Sequence, residues 1–126
     1  MVGFTACHTT GETLGKGQTV IYDHVITNIG NAYDVRDGEF NVPYNGLYIL
    51  SVKLVAYFNT EMYVQLTRNG MNVHQIYSNG DRADSSTLTL NLYLQASDII
   101  VIKSERAGDR LHPYEYNCFS GMLVRE

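Results

Sequence analysis

From Leu88 to Leu94, in the stretch S-T-L-T-L-N-L-Y-L-Q, every second residue is a leucine. Leu88, Leu90, Leu92 and Leu94 fall on one side of an extended strand, and Thr87, Thr89, Asn91, Tyr93 and Gln95 fall on the other. A side-chain period of two belongs to a strand, whereas a helix repeats its apolar stripe at about 3.6 residues. The leucines need a core and the polar side needs water, so the run predicts an antiparallel sheet with one wet face. Nowhere does the sequence sustain a helical period.

Further strands follow from the same logic. M-Y-V-Q-L-T-R-N-G-M-N-V-H-Q-I-Y predicts a hairpin turned at Asn69-Gly70, the dipeptide that supplies the positive φ angles of a tight turn. G-E-F-N-V-P-Y-N-G-L-Y-I-L-S-V, residues 38–52, predicts two short strands between Gly-containing turns. D-I-I-V-I-K-S-E and Y-N-C-F-S-G-M-L-V add two more, with Gly121 marking a bulge or a close backbone approach. Many short strands without helices predict a β-sandwich or jelly roll. With 126 residues and no internal repeat or composition break, one domain covering 1–126 is expected.

One strand breaks the pattern of a single wet face. Read as running from Leu47 to Phe58, it sets Tyr48, Leu50, Val52, Leu54, Ala56 and Phe58 on one side. The other side carries Leu47, Ile49, Val55 and Tyr57, interrupted only by Ser51 and Lys53. Something must cover this second apolar face, and a neighbouring subunit is the favoured cover. Ile49, Val55 and Tyr57 are the expected interface residues.

Charge and motifs exclude several functions. A formal charge of −4 with nine scattered basic residues offers no footprint for nucleic acid. No apolar run approaches the roughly 20 residues of a membrane helix. The opening M-V-G-F-T-A-C-H-T-T lacks a basic start and an apolar h-region, so no signal peptide is expected within it. A G-x-S-x-G elbow and an H-E-x-x-H pair are both missing, and His8, His24, His74 and His112 are far apart. G-E-T-L-G-K-G lacks the ending of a phosphate loop and is expected to be a surface loop. Catalysis is not expected. No N-x-Ser/Thr sequon occurs among the ten asparagines, and there is no collagen-like Gly-x-y tract. Cys7 and Cys118 are spaced for neither zinc nor a redox pair, leaving a disulfide or two buried thiols on neighbouring strands equally open.

The span from Tyr22 to Val52 resembles the signature of the C1q globular-head family, within the C1q and tumour necrosis factor superfamily. The signature's places are filled by Tyr22, Asn28, Tyr33, Phe40 and Gly46-Leu47-Tyr48. V-I-T-N-I-G-N-A-Y-D, F-x-V-P-x-x-G-x-Y and F-S-G-M-L-V resemble family text as well. Tyr22 stands where the family prefers Phe, and Leu50 and Val52 replace aromatics, which touches core details rather than the fold. The resemblance implies a ten-stranded jelly-roll sandwich assembled as a homotrimer, extracellular and secreted. It also implies adjacent first and last strands, which makes Cys7 and Cys118 a disulfide candidate.

The expected function is pattern recognition in innate immunity, lectin-like binding of microbial polysaccharide, lipopolysaccharide or acidic glycan by a multivalent trimer. K-S-E-R-A-G-D-R-L-H-P-Y-E-Y, residues 103–116, is the candidate ligand loop, with Arg106, Arg110, His112, Tyr114 and Tyr116. Guanidinium groups clamp carboxylates and phosphates, and tyrosine rings stack on sugars. The plain alternative is a solvated loop whose arginines are neutralised by Glu105 and Asp109. Calcium near a threefold axis is a further implication of the resemblance, with Glu61 and Asp84 as candidate ligands and Asp81 as a weaker one. Two other functions stay open: a trimeric signalling or adhesion ligand for a protein receptor, and an extracellular structural protein.

Overall fold

A computed structural model gives the conformation of the chain and describes residues 1–80 and 85–126. In order, the strands are β1 (Gly3–His8), β2 (Thr13–Leu14), β3 (His24–Ile29), β4 (Tyr33–Asp34), β5 (Glu39–Asn41) and β6 (Gly46–Leu54). They continue with β7 (Met62–Arg68), β8 (Met71–Ser78), β9 (Ser86–Leu94), β10 (Ile99–Ser104), β11 (Asp109–Arg110) and β12 (Asn117–Arg125). Two five-stranded antiparallel sheets, β3-β1-β12-β6-β9 and β4-β5-β10-β7-β8, face each other, and β2 pairs with β11. The ten strands of the sandwich match the jelly roll expected from the sequence.

The alternating run is β9, at the edge of its sheet next to β6, with Leu90 opposite Leu50. Leu94 is fully buried, while Leu88, Leu90 and Leu92 point inward yet remain half-covered at the rim of the core. Asn69 (φ 53°) and Gly70 (φ 83°) turn β7 into β8 with Arg68 opposite Met71. Gly121 is a close approach: a Cβ there would sit 2.7 Å from Phe4 Cε1 and 2.8 Å from Leu50 Cδ2.

The signature residues explain themselves in the core. Asn28 uses its amide to pair with the backbone of Tyr33, accepting from the N–H at 3.2 Å and donating to the carbonyl at 2.9 Å. The Tyr33 hydroxyl in turn accepts from Tyr22 N–H at 2.9 Å and donates to the Tyr22 carbonyl at 2.8 Å. Phe4 stacks on Tyr33 and meets Phe40 and Phe119 at centroid distances of 4.8 and 4.9 Å. Aromatic pairs of this geometry add to simple burial.

Two sequence expectations are corrected. G-E-T-L-G-K-G is not wholly a surface loop: it contains β2, Leu14 is buried in the core, and Gly17 N–H bonds the Ser104 carbonyl at 2.9 Å. The strand expected to run to Phe58 ends at Leu54. Beyond it the side chain of Asn117 takes both backbone groups of Val55, so the ladder cannot continue. Val55 is consequently 4% exposed and covered from within the chain.

Ile49 remains half-buried on the outer face of its sheet. Beside it stand Leu47, Ile29 and Met122, which are 39%, 48% and 50% exposed. A shallow, mostly apolar depression of about 370 Å³ runs across this face between Ile29, Ile49, Ser51 and Met122. The doubly apolar strand is therefore real over Leu47 and Ile49, though shorter than its sequence suggested.

Candidate functional site: an aromatic cleft at one end of the sandwich

Where β6 stops, residues 55–57 run antiparallel to residues 110–112. Tyr57 N–H bonds the Arg110 carbonyl at 2.8 Å, His112 N–H bonds the Val55 carbonyl at 3.0 Å, and Ala56 bridges Leu111. Asn117 locks this zipper. Its Oδ1 accepts from Val55 N–H at 2.8 Å, and its Nδ2 donates to the carbonyls of Val55 and His112 at 2.8 and 3.2 Å.

The zipped segments hold a connected set of rings. Phe58 meets His112 edge-on at 5.2 Å, and His112 meets Tyr116 at 4.8 Å. Tyr57 contacts Phe58 at 5.7 Å, and the Arg110 guanidinium lies over the Tyr57 ring at 3.9 Å. A cleft of about 450 Å³ opens among Lys53, Phe58, Ser85, His112, Tyr114 and Tyr116, floored by Val55. That volume lies in the range of small-ligand sites. Tyr114 and Glu115 both adopt positive φ, 68° and 65°, a conformation that costs a non-glycine residue energy and persists only where its surroundings enforce it. Here the enforcement is visible: Glu115 N–H bonds the His8 carbonyl at 3.1 Å, and its carboxylate contacts His24 Nδ1. One residue pair away, Cys7 lies opposite Cys118 and the two sulfurs are bonded.

The five expected ligand residues do not act as one loop. His112, Tyr114 and Tyr116 line the cleft. Arg110 packs behind it on Tyr57, with its Nε buried and lacking a hydrogen-bond partner. Arg106 lies further off, over Tyr63 at 4.2 Å, and is shared by Asp109 at 3.5 Å and Glu61 at 3.8 Å. Of the two expected neutralising acids, Asp109 contacts Arg106, and Glu105 accepts from Gln75. Lys53, Phe58 and Ser85 line the cleft without having been singled out from the sequence, and Val55 was expected at a subunit interface instead. A lysine interrupting an apolar strand face was the available signal.

Glu61 accepts the Tyr63 hydroxyl at 2.9 Å and lies 3.8 Å from the Arg106 guanidinium. Asp81 and Asp84 lie outside the described residues. Among the described residues no three potential ligands from His, Cys, Asp and Glu gather into a metal site. His8, buried, donates from Nδ1 to the Ile21 carbonyl at 2.7 Å, while Asp23 is held by Thr9. Burial alone would raise the Asp23 carboxyl, but the Thr9 side-chain and backbone hydrogen bonds outweigh it and hold it below the usual value.

The fold is a jelly-roll sandwich that carries an aromatic cleft at one end. Comparison with known proteins makes the class specific. The family model described as C1q domain matches residues 3–124, and the chain belongs to the C1q-domain family. It is 28% identical over 124 residues to complement C1q tumor necrosis factor-related protein 3 of mouse, covering 96% of this chain and 49% of that protein. It is 26% identical over 127 residues to zebrafish Caprin-2, covering 98% of this chain and 14% of that protein. The chain thus spans at most about half the length of these relatives. Among solved structures it resembles the globular domain of zebrafish complement 1qA protein, with a TM-score of 0.79 at 15% identity and full coverage of both chains. Murine APRIL shares the fold with a TM-score of 0.79 at 14% identity and 98% coverage of both. C1q and tumour necrosis factor-like domains are not enzymes, and no side-chain arrangement among the described residues points to catalysis.

Proposed function

We propose that this chain is a secreted, homotrimeric recognition module that binds glycans on microbial or cell surfaces, in the manner of an innate-immune lectin. The observation that carries this reading is the aromatic cleft: ring faces and tyrosine hydroxyls are what a sugar needs, and the segment that carries them is tied by backbone hydrogen bonds to Val55 and His8. Arg106 and Arg110, expected to clamp an acidic glycan or lipopolysaccharide directly, serve in this reading as supports for Tyr63 and Tyr57. Secretion is supported by the Cys7–Cys118 disulfide, a bond typical of oxidising compartments.

Trimer formation is supported by oily surface that one sheet leaves incompletely covered. The outer face offers Leu47, Ile49, Ile29 and Met122, and the edge strand β9 leaves Leu88, Leu90 and Leu92 only partly buried. In a closed ring each subunit can lay its edge against the next subunit's face. Three copies of a modest site then gain avidity on a repetitive surface. Tyr57 stays beneath Arg110 in this arrangement, and Val55 stays inside its own subunit. Light scattering should give three times the chain mass of 14.2 kDa, falling toward 14.2 kDa in Ile49→Asp. A wild-type monomer at micromolar concentration would overturn the assembly. A glycan array, run with calcium and with chelator, tests recognition, and an array without hits would sink it.

A second reading is a trimeric ligand for a protein receptor, favoured by the similarity to complement C1q tumor necrosis factor-related protein 3 and to murine APRIL. Cell-surface binding that survives glycosidase treatment would support it over the first.

A further inference from the structure

We propose that the sandwich carries a second binding surface, a groove along its β3–β4 side that takes an extended peptide bearing lysine or arginine side chains. The inference does not rest on the glycan reading, since the groove shares no residue with the aromatic cleft.

The topology sets its place. β3 and β4 are the outermost strands of their sheets on the side away from β9 and β8. A groove of about 500 Å³ opens there, from Val25 and Asn28 of β3 past residues 30–36 to Asn41 and Pro43. It shares no residue with the apolar depression around Ile49, so a trimer built on that face does not use it.

The way a guest backbone can be held comes first. Neither edge accepts a continuous added strand, because β4 has two residues and β3 is bulged. Thr5 lies opposite Thr27 and Ala6 opposite Val25, which leaves Ile26 without a partner. Side chains must therefore do the holding. A carboxamide offers one donor and one acceptor side by side, the complement of an extended residue's own N–H and C=O. Asn28 already uses its carboxamide so on Tyr33. Asn31 and Asn41 line the same groove, both exposed, and among the described residues neither side chain makes a hydrogen bond.

Charge selects the guest's side chains. Arg36 is spent on Asp34, with Nε on Oδ1 at 3.0 Å and Nη2 on Oδ2 at 2.9 Å. Asp37 and, at the start of β5, Glu39 meet no cation among the described residues. Tyr33, which lines the groove, registers the excess. Burial first, and then the carboxylates of Asp23, Asp37 and Asp34, push its phenol up against the opposing hydrogen bond from Tyr22. A cationic peptide suits these surroundings and an acidic one is repelled. Val25, Val35 and Pro43 supply apolar contact in the same groove. Side chains of an extended chain alternate between two faces, so valines can meet this lining while lysines reach toward the acids.

The test titrates the 126-residue chain, in its solution assembly, with three capped peptides. They are T-V-K-V-K-V-T, its glutamate counterpart T-V-E-V-E-V-T, and the lysine peptide N-methylated at alternate residues. Calorimetry reads affinity, and ¹⁵N spectra follow the carboxamide signals of Asn31 and Asn41. The lysine peptide should bind with a Kd below about 1 mM and at least about tenfold more tightly than the glutamate peptide. N-methylation should cost about fivefold. Asn31→Gly keeps the φ of 54° and removes one carboxamide, and Asn41→Ala removes the other. Each should weaken the lysine peptide about fivefold. Asp37→Asn combined with Glu39→Gln should narrow the preference for lysine over glutamate.

No binding of the lysine peptide at millimolar concentration, or equal affinity for lysine and glutamate peptides, would overturn the proposal. Carboxamide signals that stay in place during the titration would do so as well, and that readout needs no variant to fold. A light-scattering mass above three chains that falls in Asn41→Ala would put another copy of this chain in the groove and overturn the peptide assignment. The glycan array is expected to read the same with and without saturating lysine peptide, which keeps the fates of the two surfaces separate.

Discussion

Asn117 takes the place of a missing strand for Val55: its side-chain amide accepts from the Val55 N–H and donates to the Val55 carbonyl, both at 2.8 Å. Asn28 does the same for Tyr33 at the opposite end of the sandwich. In each case a side chain satisfies a buried or half-buried backbone where the ladder stops.

Asn117→Ala should therefore cost about 2–4 kcal/mol, because it leaves several buried polar groups unpaired at once. Denaturant unfolding measures the loss. The same variant should weaken binding in the cleft, since the zipper of residues 55–57 with 110–112 loses its lock. Stability close to the unchanged chain would show that water replaces the amide without penalty.

Stability should fall at both ends of the pH scale. At the acid end, burial pushes the Asp98 carboxyl up, but hydrogen bonds from Gln95 N–H, Asn69 and Arg68 outweigh it and hold it below the ordinary value. Its stabilisation is full above the unfolded carboxyl value of about 3.9 and disappears as pH drops through the lower folded value. Asp23 contributes in the same direction. At the alkaline end, burial and then the nearby carboxylates push the Tyr33 phenol up to about 12, and burial raises Tyr22 as well. Their contribution is full below the unfolded value of about 10 and is lost as pH rises through the folded value. Melting temperature against pH should be flat in the middle, and Asp98→Asn should flatten the acid limb by comparison with the unchanged chain.

The disulfide closes a loop with a sequence separation of 111 residues. Chain-entropy reasoning gives a cross-link of that span about 4–5 kcal/mol. The double variant Cys7→Ser, Cys118→Ser should lose stability of that order in unfolding experiments. Titrating thiols in the denatured, unreduced protein should find none, whereas two thiols per chain would show that the bond does not form.

Gly121→Ala should destabilise by about 1–3 kcal/mol, as overpacking does in a filled core. The added methyl would press on Phe4, whose ring is wedged between Tyr33, Phe40 and Phe119 and has little room to retreat. A thermal melt of the single variant measures it.

Most of the sandwich was legible because its signals are local. The alternation of Leu88 to Leu94 and the turn at Asn69-Gly70 need no knowledge of distant residues. The end of β6 was not legible, because the group that stops it comes from Asn117, 62 residues away. Leu14 escaped notice for a related reason: glycines around it announce a loop, while its burial depends on pairing between Thr13–Leu14 and Asp109–Arg110. The site divides the same way. His112, Tyr114 and Tyr116 were visible as a run of aromatic and polar residues in one segment. That Arg106 and Arg110 would lie over Tyr63 and Tyr57 is a fact about folded neighbours, which no spacing in the sequence records.

The pairing of β1 with β12 sets Gly3 opposite Met122 at one end of the sheet and His8 opposite Asn117 at the other. Both termini thus emerge at the end remote from the cleft, separated from it by a nine-residue strand of roughly 30 Å. Anything tethered to either terminus, whether a neighbouring segment, a bead or a sensor surface, acts as a handle on the far end and leaves the aromatic cleft pointing outward.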